Sequence, residues 1–99
     1  MAKGGSVYMM CNINNTVIYT GVCGDLVARV SQHKSKTAPT SFTAKYNCVK
    51  LVYYRFFETI ESAIEEEKRI KGGNRKQKER RINSVNPEWR DLWEDIKNW

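Results

Sequence analysis

The segment Cys48 to Phe57, Cys-Val-Lys-Leu-Val-Tyr-Tyr-Arg-Phe-Phe, is dense in β-branched and aromatic residues and is the strongest strand signal in the chain. A strand must satisfy its backbone groups on partners, so the chain has to build a sheet. Two further strand-like stretches, Val7 to Ile13 and Thr16 to Thr20, flank Asn14-Asn15, which can supply the positive φ angles of a tight hairpin turn. Asp25 is a good N-cap for a helix from about Leu26 to Lys34, with Leu26 and Val30 facing inward. Thr59 caps a second helix that runs to Lys71 and stops at Gly72-Gly73. Between them, Ser35 to Asn47 is rich in Ser, Thr and Lys, carries Pro39, and reads as a mobile surface loop. Asn74 caps a basic helical segment with only Ile82 and Val85 to bury. Pro87 stands at a first helical position after Asn86, and Trp89, Leu92, Trp93 and Ile96 recur at helical spacing, which predicts a C-terminal amphipathic helix. The order of elements makes an α/β chain of the α+β sandwich kind, a small three-stranded antiparallel sheet flanked by helices.

At 99 residues the chain closes one core and has no room for separate cofactor and substrate domains. Residues 1–5 are expected to be a disordered leader and residues 6–99 a single domain. The longest apolar runs, Val7 to Cys11 and Leu51 to Tyr54, fall far short of the ~18–20 residues of a membrane span, and the start lacks the apolar stretch of a signal peptide. Cys11, Cys23 and Cys48 form no Cys-x-x-Cys pair and read as reduced thiols of a cytoplasmic protein.

The net charge of +6 favours a polyanionic partner, and its placement matters more than its size. Between Lys68 and Arg81 lie Lys68, Arg69, Lys71, Arg75, Lys76, Lys78, Arg80 and Arg81, against one acid, Glu79. Such a run is either a solvated helix face or a phosphate-binding surface.

Other residues look out of place. On the second helix, Ile60, Ala63, Ile64 and Ile70 define an apolar stripe whose continuation falls on Glu67, while Glu65 and Glu66 are expected to point elsewhere. A carboxylate on or beside a buried face needs a cationic partner, a wet edge or a metal. Arg29 and His33, four apart, share one face of the first helix and offer a fixed cation beside an imidazole. With the hairpin turning at Asn14-Asn15, Tyr19 lies opposite Met10 and diagonally near Tyr8.

The ordered series Val7-Tyr8-Met9, Val17-Ile18-Tyr19-Thr20-Gly21, Asp25-Leu26 with Arg29 and His33 resembles the GIY-YIG nuclease superfamily. Leu51-Val52-Tyr53-Tyr54, Ala63-Ile64 with Glu67-Lys68 and Ile70-Lys71, Arg75, and Asn86-Pro87 with Trp89 and Asp91-Leu92 are similar to its small stand-alone bacterial branch. The resemblance implies metal-dependent hydrolysis of phosphodiester bonds in DNA, in preference to RNA, with a structure-specific or repair-related role. It implies Tyr8, Tyr19, Arg29, His33 and Glu67 as catalytic residues, with Glu67 as the one protein ligand to a single Mg²⁺ or Mn²⁺. Tyr8 would accept the proton of the attacking water with its pKa lowered by nearby positive charge, and Tyr19 would position water and phosphate. His33 would relay through the tyrosine hydroxyl, and Arg29 would bind the scissile phosphate. Lys68, Lys71, Arg75, Lys76 and Lys78 would hold the flanking strand.

Some positions depart from the family pattern. Ser6-Val7-Tyr8 lacks the first motif's glycine, Arg55 stands where relatives often carry an acid, and Gly73 where they often carry a bulky residue. Asn86 is either a site residue or a cap before Pro87. Two other readings compete with a nuclease: a nucleic-acid-binding module without turnover, and a subunit docked on a protein partner through the face of Trp89, Leu92, Trp93 and Ile96.

Overall fold

A computed structural model describes residues 4–38 and 40–99. Three strands, β1 (Gly5–Cys11), β2 (Ile18–Cys23) and β3 (Lys50–Phe57), form an antiparallel sheet in the order β2-β1-β3. The helices are α1 (Leu26–Ser35), α2 (Phe42–Lys45), α3 (Ile60–Lys71), α4 (Arg75–Val85) and α5 (Trp93–Ile96). The expected three-stranded sheet flanked by helices is what forms.

The central strand β1 is buried along its whole length, and its side chains alternate between two half-cores. Tyr8 and Met10 point to one face, with Leu26 and Val30 of α1, Cys48, Leu51, Leu92 and Ile96. Val7, Met9 and Cys11 point to the other, with Val52, Tyr53, Ala63 and Ile70 of α3 and Ile82 of α4. The sheet thus separates the α1 side from the α3–α4 side. All three cysteines are free and buried. Among the described residues no helix is long and apolar enough to cross a membrane.

The expected register of Tyr19 opposite Met10 holds, and it places Tyr8 opposite Gly21. The turn differs. The strands stop at Cys11 and resume at Ile18, because the Asn12 carboxamide draws the chain into a wider loop. Its Oδ1 accepts from the backbone N–H of Thr16 and of Val17, each at 2.9 Å, and Asn15 takes the positive φ of 58°. β1 begins at Gly5, inside the segment expected to be a leader, where a side chain would meet Ile60 Cδ1 at 2.5 Å. Residues 1–3 of that leader lie outside the described residues, as does Pro39.

Asp25, Thr59 and Asn74 cap α1, α3 and α4 as expected, each accepting from a backbone N–H three residues on. Three expectations are corrected. The stretch read as a mobile loop contains α2, capped by Ser41, with Thr43 and Ala44 buried. Val85 is exposed, leaving Ile82 as the buried residue of α4. The C-terminal helix does not start at Pro87. The Asn86 carboxamide donates to Val52 O and Arg90 O and accepts from Arg90 N–H, bending the chain into a turn with Trp89 at φ 55°. Asp91 Oδ1 then accepts from Leu51 N–H and Trp93 N–H, pinning the tail to β3, so only Trp93–Ile96 is helical. Asn86 is therefore a buried structural bracket. Leu92 and Ile96 lie in the chain's own core, so the face suggested for a protein partner is largely used internally.

Candidate active site

The sequence places Tyr8 on the central strand and Tyr19 on the edge strand, one diagonal step apart on the same face. Their rings sit 6.2 Å apart between centroids. Gly21 makes this approach possible: a Cβ there would lie 2.6 Å from the Tyr8 hydroxyl and 2.9 Å from Tyr19 Cε2. From α1, His33 enters between the phenols, its ring 5.6 Å from each. His33 Nε2 is 2.8 Å from the Tyr8 hydroxyl, and Nδ1 is 2.8 Å from Thr43 Oγ1 on α2. Both imidazole nitrogens are engaged by hydroxyl groups, which fixes the ring and accommodates either neutral tautomer. Arg29, one turn before His33, lines the adjoining cavity of about 300 Å³ with His33, Ser41 and Thr43.

The electrostatics correct one expectation. Tyr8 is completely buried, and its pKa is pushed well above the ordinary phenol value by burial and by Tyr19, against the opposing pull of Arg29. Burial outweighs the positive charge of Arg29, so its surroundings raise the phenol's pKa where a lowered one was expected. His33 is held below the ordinary imidazole range, first by burial and then by the Arg29 charge. The imidazole is therefore kept neutral near pH 7.

Of the five residues expected to converge, Tyr8, Tyr19, Arg29 and His33 do so. Glu67 sits on α3, which packs against β1 and β3 and against β2, the edge strand that carries Tyr19. It is mostly buried, and its Oε2 pairs with Lys71 Nζ at 3.2 Å. Among the described residues no hydrogen bond or ion pair joins it to the tyrosine cluster, and no three His, Cys, Asp or Glu side chains gather into a metal cage. A single carboxylate at a partly open position suits a hard cation that keeps most of its waters, as Mg²⁺ does.

Glu66, not Glu67, is the most buried charge of α3. Only 3% exposed, it is held by Arg69, by Arg81 Nη1 at 2.8 Å and by Arg55 Nη1 at 3.7 Å. The expectation that Glu66 needs no partner is thus overturned, and Arg55 finds its place as one of three cations around this acid. Of the basic residues expected on nucleic acid, Lys68 and Lys76 are exposed. Lys71 is tied to Glu67, and Lys78 donates to Gly73 O. Arg75 is a clamp instead: it donates to Thr16 O at 2.8 Å, to Asn15 O at 2.6 Å and to Glu79 at 2.7 Å, fastening α4 to the hairpin loop.

Thr43 and Phe42 escape sequence reasoning because they lie in the stretch that reads as a mobile loop. The signal is Ser41, a capping residue ahead of Phe-Thr-Ala-Lys, whose hydroxyl accepts from Ala44 N–H. Phe42 stacks obliquely on Tyr19, centroids 5.9 Å apart, and closes the outer side of the cluster.

The fold is shared with the UPF0213 protein BH0048 from Bacillus halodurans, whose solution NMR structure superimposes with a TM-score of 0.57 at 22% identity, covering 90% of this chain and 93% of that one. No curated protein sequence matches the chain significantly. The family model of the GIY-YIG catalytic domain matches residues 4–83, a span that contains every strand, α1 to α3 and the whole tyrosine–histidine cluster. The protein therefore belongs to the GIY-YIG catalytic domain family, a family of nucleases.

Proposed function

We propose that the protein is a metal-dependent endonuclease that hydrolyses phosphodiester bonds in DNA with a single divalent ion. The observation that supports it best is the chain of neighbours Tyr19, Tyr8 and His33, with Arg29 beside His33 in the wall of the adjoining cavity. Arg29 is the group to bind a non-bridging phosphate oxygen and to stabilise the charge that builds in the transition state. Tyr19, the half-buried phenol, is the one that meets solvent and orients the attacking water. Tyr8 acts from behind it: its hydroxyl holds His33 Nε2, and the neutral imidazole between Tyr8 and Thr43 can take a proton at one nitrogen while releasing one from the other. Glu67 would hold Mg²⁺ or Mn²⁺ with water completing the shell, which requires Lys71 to yield its ion pair. When bound, the ion supplies Lewis-acid polarisation of the phosphate.

The test uses labelled single-stranded, duplex, nicked and branched DNA with Mg²⁺ or Mn²⁺. Cleavage that Glu67→Ala and Arg29→Ala each reduce by about 10²-fold or more supports the reading. No cleavage of any substrate, or cleavage that Glu67→Ala leaves intact, overturns it. The Glu67–Lys71 ion pair favours one competitor, a binding module without turnover, which predicts salt-dependent affinity with no product in either metal.

A further inference from the structure

We propose that α2 is a stacking platform for unpaired bases, so that the protein grips single-stranded nucleic acid beside its tyrosine cluster. Placing that grip next to a scissile phosphate rests on the nuclease reading above; the grip itself does not.

Exposed aromatics that adjoin one another, unlike single ones, need a reason. On α2 two of them are adjacent in space: Phe42 is 46% exposed and Tyr46, just after the helix, 42% exposed, with ring centroids 4.7 Å apart. Phe42 in turn touches Tyr19, so an aromatic row runs outward from the cluster through Tyr19, Phe42 and Tyr46. The row is rigidly mounted. Thr43 and Ala44 are buried beneath it, and Cys48 N–H donates to Thr43 O at 2.8 Å.

Charge identifies the occupant. From Leu26 to Phe57 the chain has not one Asp or Glu; Lys34 and Arg55 of this stretch are paired with Asp91 and Glu66, whereas among the described residues Arg29, Lys36 and Lys45 form no ion pair. Lys45 holds its ammonium 5.5 Å over the Tyr46 ring, and Arg29 lines the cavity on the inner side. Exposed rings beside cations that no carboxylate pairs suit a polyanion that also offers flat faces, which is an unstacked nucleotide strand. An apolar protein surface would leave those cations unpaired, and duplex DNA hides its base faces. Selectivity for unpaired bases follows, and it needs no separate targeting domain.

Binding is measured without divalent metal, in EDTA, so that turnover plays no part. The probes are fluorescent oligothymidylate and oligouridylate of about 15 nucleotides, within the range of known single-strand site sizes, and a duplex of equal length. Phe42→Leu keeps apolar packing on Tyr19 but removes the π face, and Tyr46→Ala removes an exposed ring; melting temperature and circular dichroism verify their folds. The expected result is single-strand binding tighter than duplex binding, with each variant weakening the former by about fivefold or more and the latter less than about twofold. The two oligonucleotides show whether the strand is DNA or RNA. Single-strand affinity unchanged in both folded variants, or an equal loss on duplex, overturns the platform. Cleavage lost only through Glu67→Ala would leave the platform to stand or fall on the EDTA measurement alone.

Discussion

Gly21 serves the site by lacking a side chain, not by adopting an unusual backbone, since no described glycine has positive φ. The Tyr8 and Tyr19 rings occupy the volume a methyl group would fill. Gly21→Ala is accordingly expected to cost about 1–3 kcal/mol through overpacking, read as a lower midpoint in urea unfolding, and to separate the phenols enough to remove most cleavage. A second consequence concerns His33. Its imidazole faces Tyr8 of β1, Tyr19 of β2, Arg29 of α1 and the Thr43 hydroxyl of α2. Because the folded pKa lies below the ordinary 6.5, the unfolded chain binds more protons between those two values. Stability is therefore complete above pH 6.5 and falls as the pH drops toward the lowered folded pKa. Urea titrations from pH 7 to about pH 5, above the carboxylate range, should show that decline in the parent and a flatter profile in His33→Gln. A parent profile as flat as that of the variant would remove the argument for a neutral imidazole.

At the scale of elements, what can be read from sequence is whatever local chemistry decides. Asp25, Thr59 and Asn74 announce helices because their side chains cap the nearest orphan N–H groups, and the hairpin register follows from pairing Met10 with Tyr19. What escapes depends on distant partners. Helical periodicity makes Glu67 the anomaly of α3, whereas the charge that is buried is Glu66, because Arg81 comes from α4 and Arg55 from β3, neither of which the periodicity of one helix reveals. The tryptophan spacing suggests a long helix, but Asn86 and Asp91 find backbone partners on β3 and win the segment for a turn. The site shows the same division: four of its residues come from strand and helix patterns, while Thr43 is hidden by a polar composition that looks like loop. Glu66 binds α3 to α4 and β3, so Glu66→Ala should destabilise by about 2 kcal/mol, a value below the usual cost of breaking a buried pair because all three arginines are partly exposed. Arg55→Ala, which removes the most distant of the three, should cost less than about 1 kcal/mol; equal losses in thermal or urea unfolding would contradict the bracing role assigned to Glu66.

Across the whole molecule the sheet divides the labour. One side carries the tyrosine cluster and the α1–α2 surface; the other carries the Glu66 brace and a groove of about 510 Å³ between α3 and α4 lined by Arg69, Lys78, Arg80 and Arg81. The positive excess is thus split, and part of the run from Lys68 to Arg81 is structural, since Arg75 and Arg81 are committed to Thr16, Asn15 and Glu66. The exposed Lys68 and Lys76 are left to meet phosphates. Removing one cation that neutralises a phosphate should lower the slope of log affinity against log salt by about 1. Lys68→Ala with Lys76→Ala should therefore weaken duplex and single-stranded DNA alike and flatten the salt dependence by about 2, with folding intact because neither side chain is buried. Phe42→Leu should leave that slope where it is while reducing single-strand affinity, because stacking releases no counterions. Measuring both series over the same salt range separates a basic surface that merely attracts nucleic acid from an aromatic row that selects its single-stranded form, and identical slopes in the parent and the double lysine variant would take Lys68 and Lys76 out of the interface.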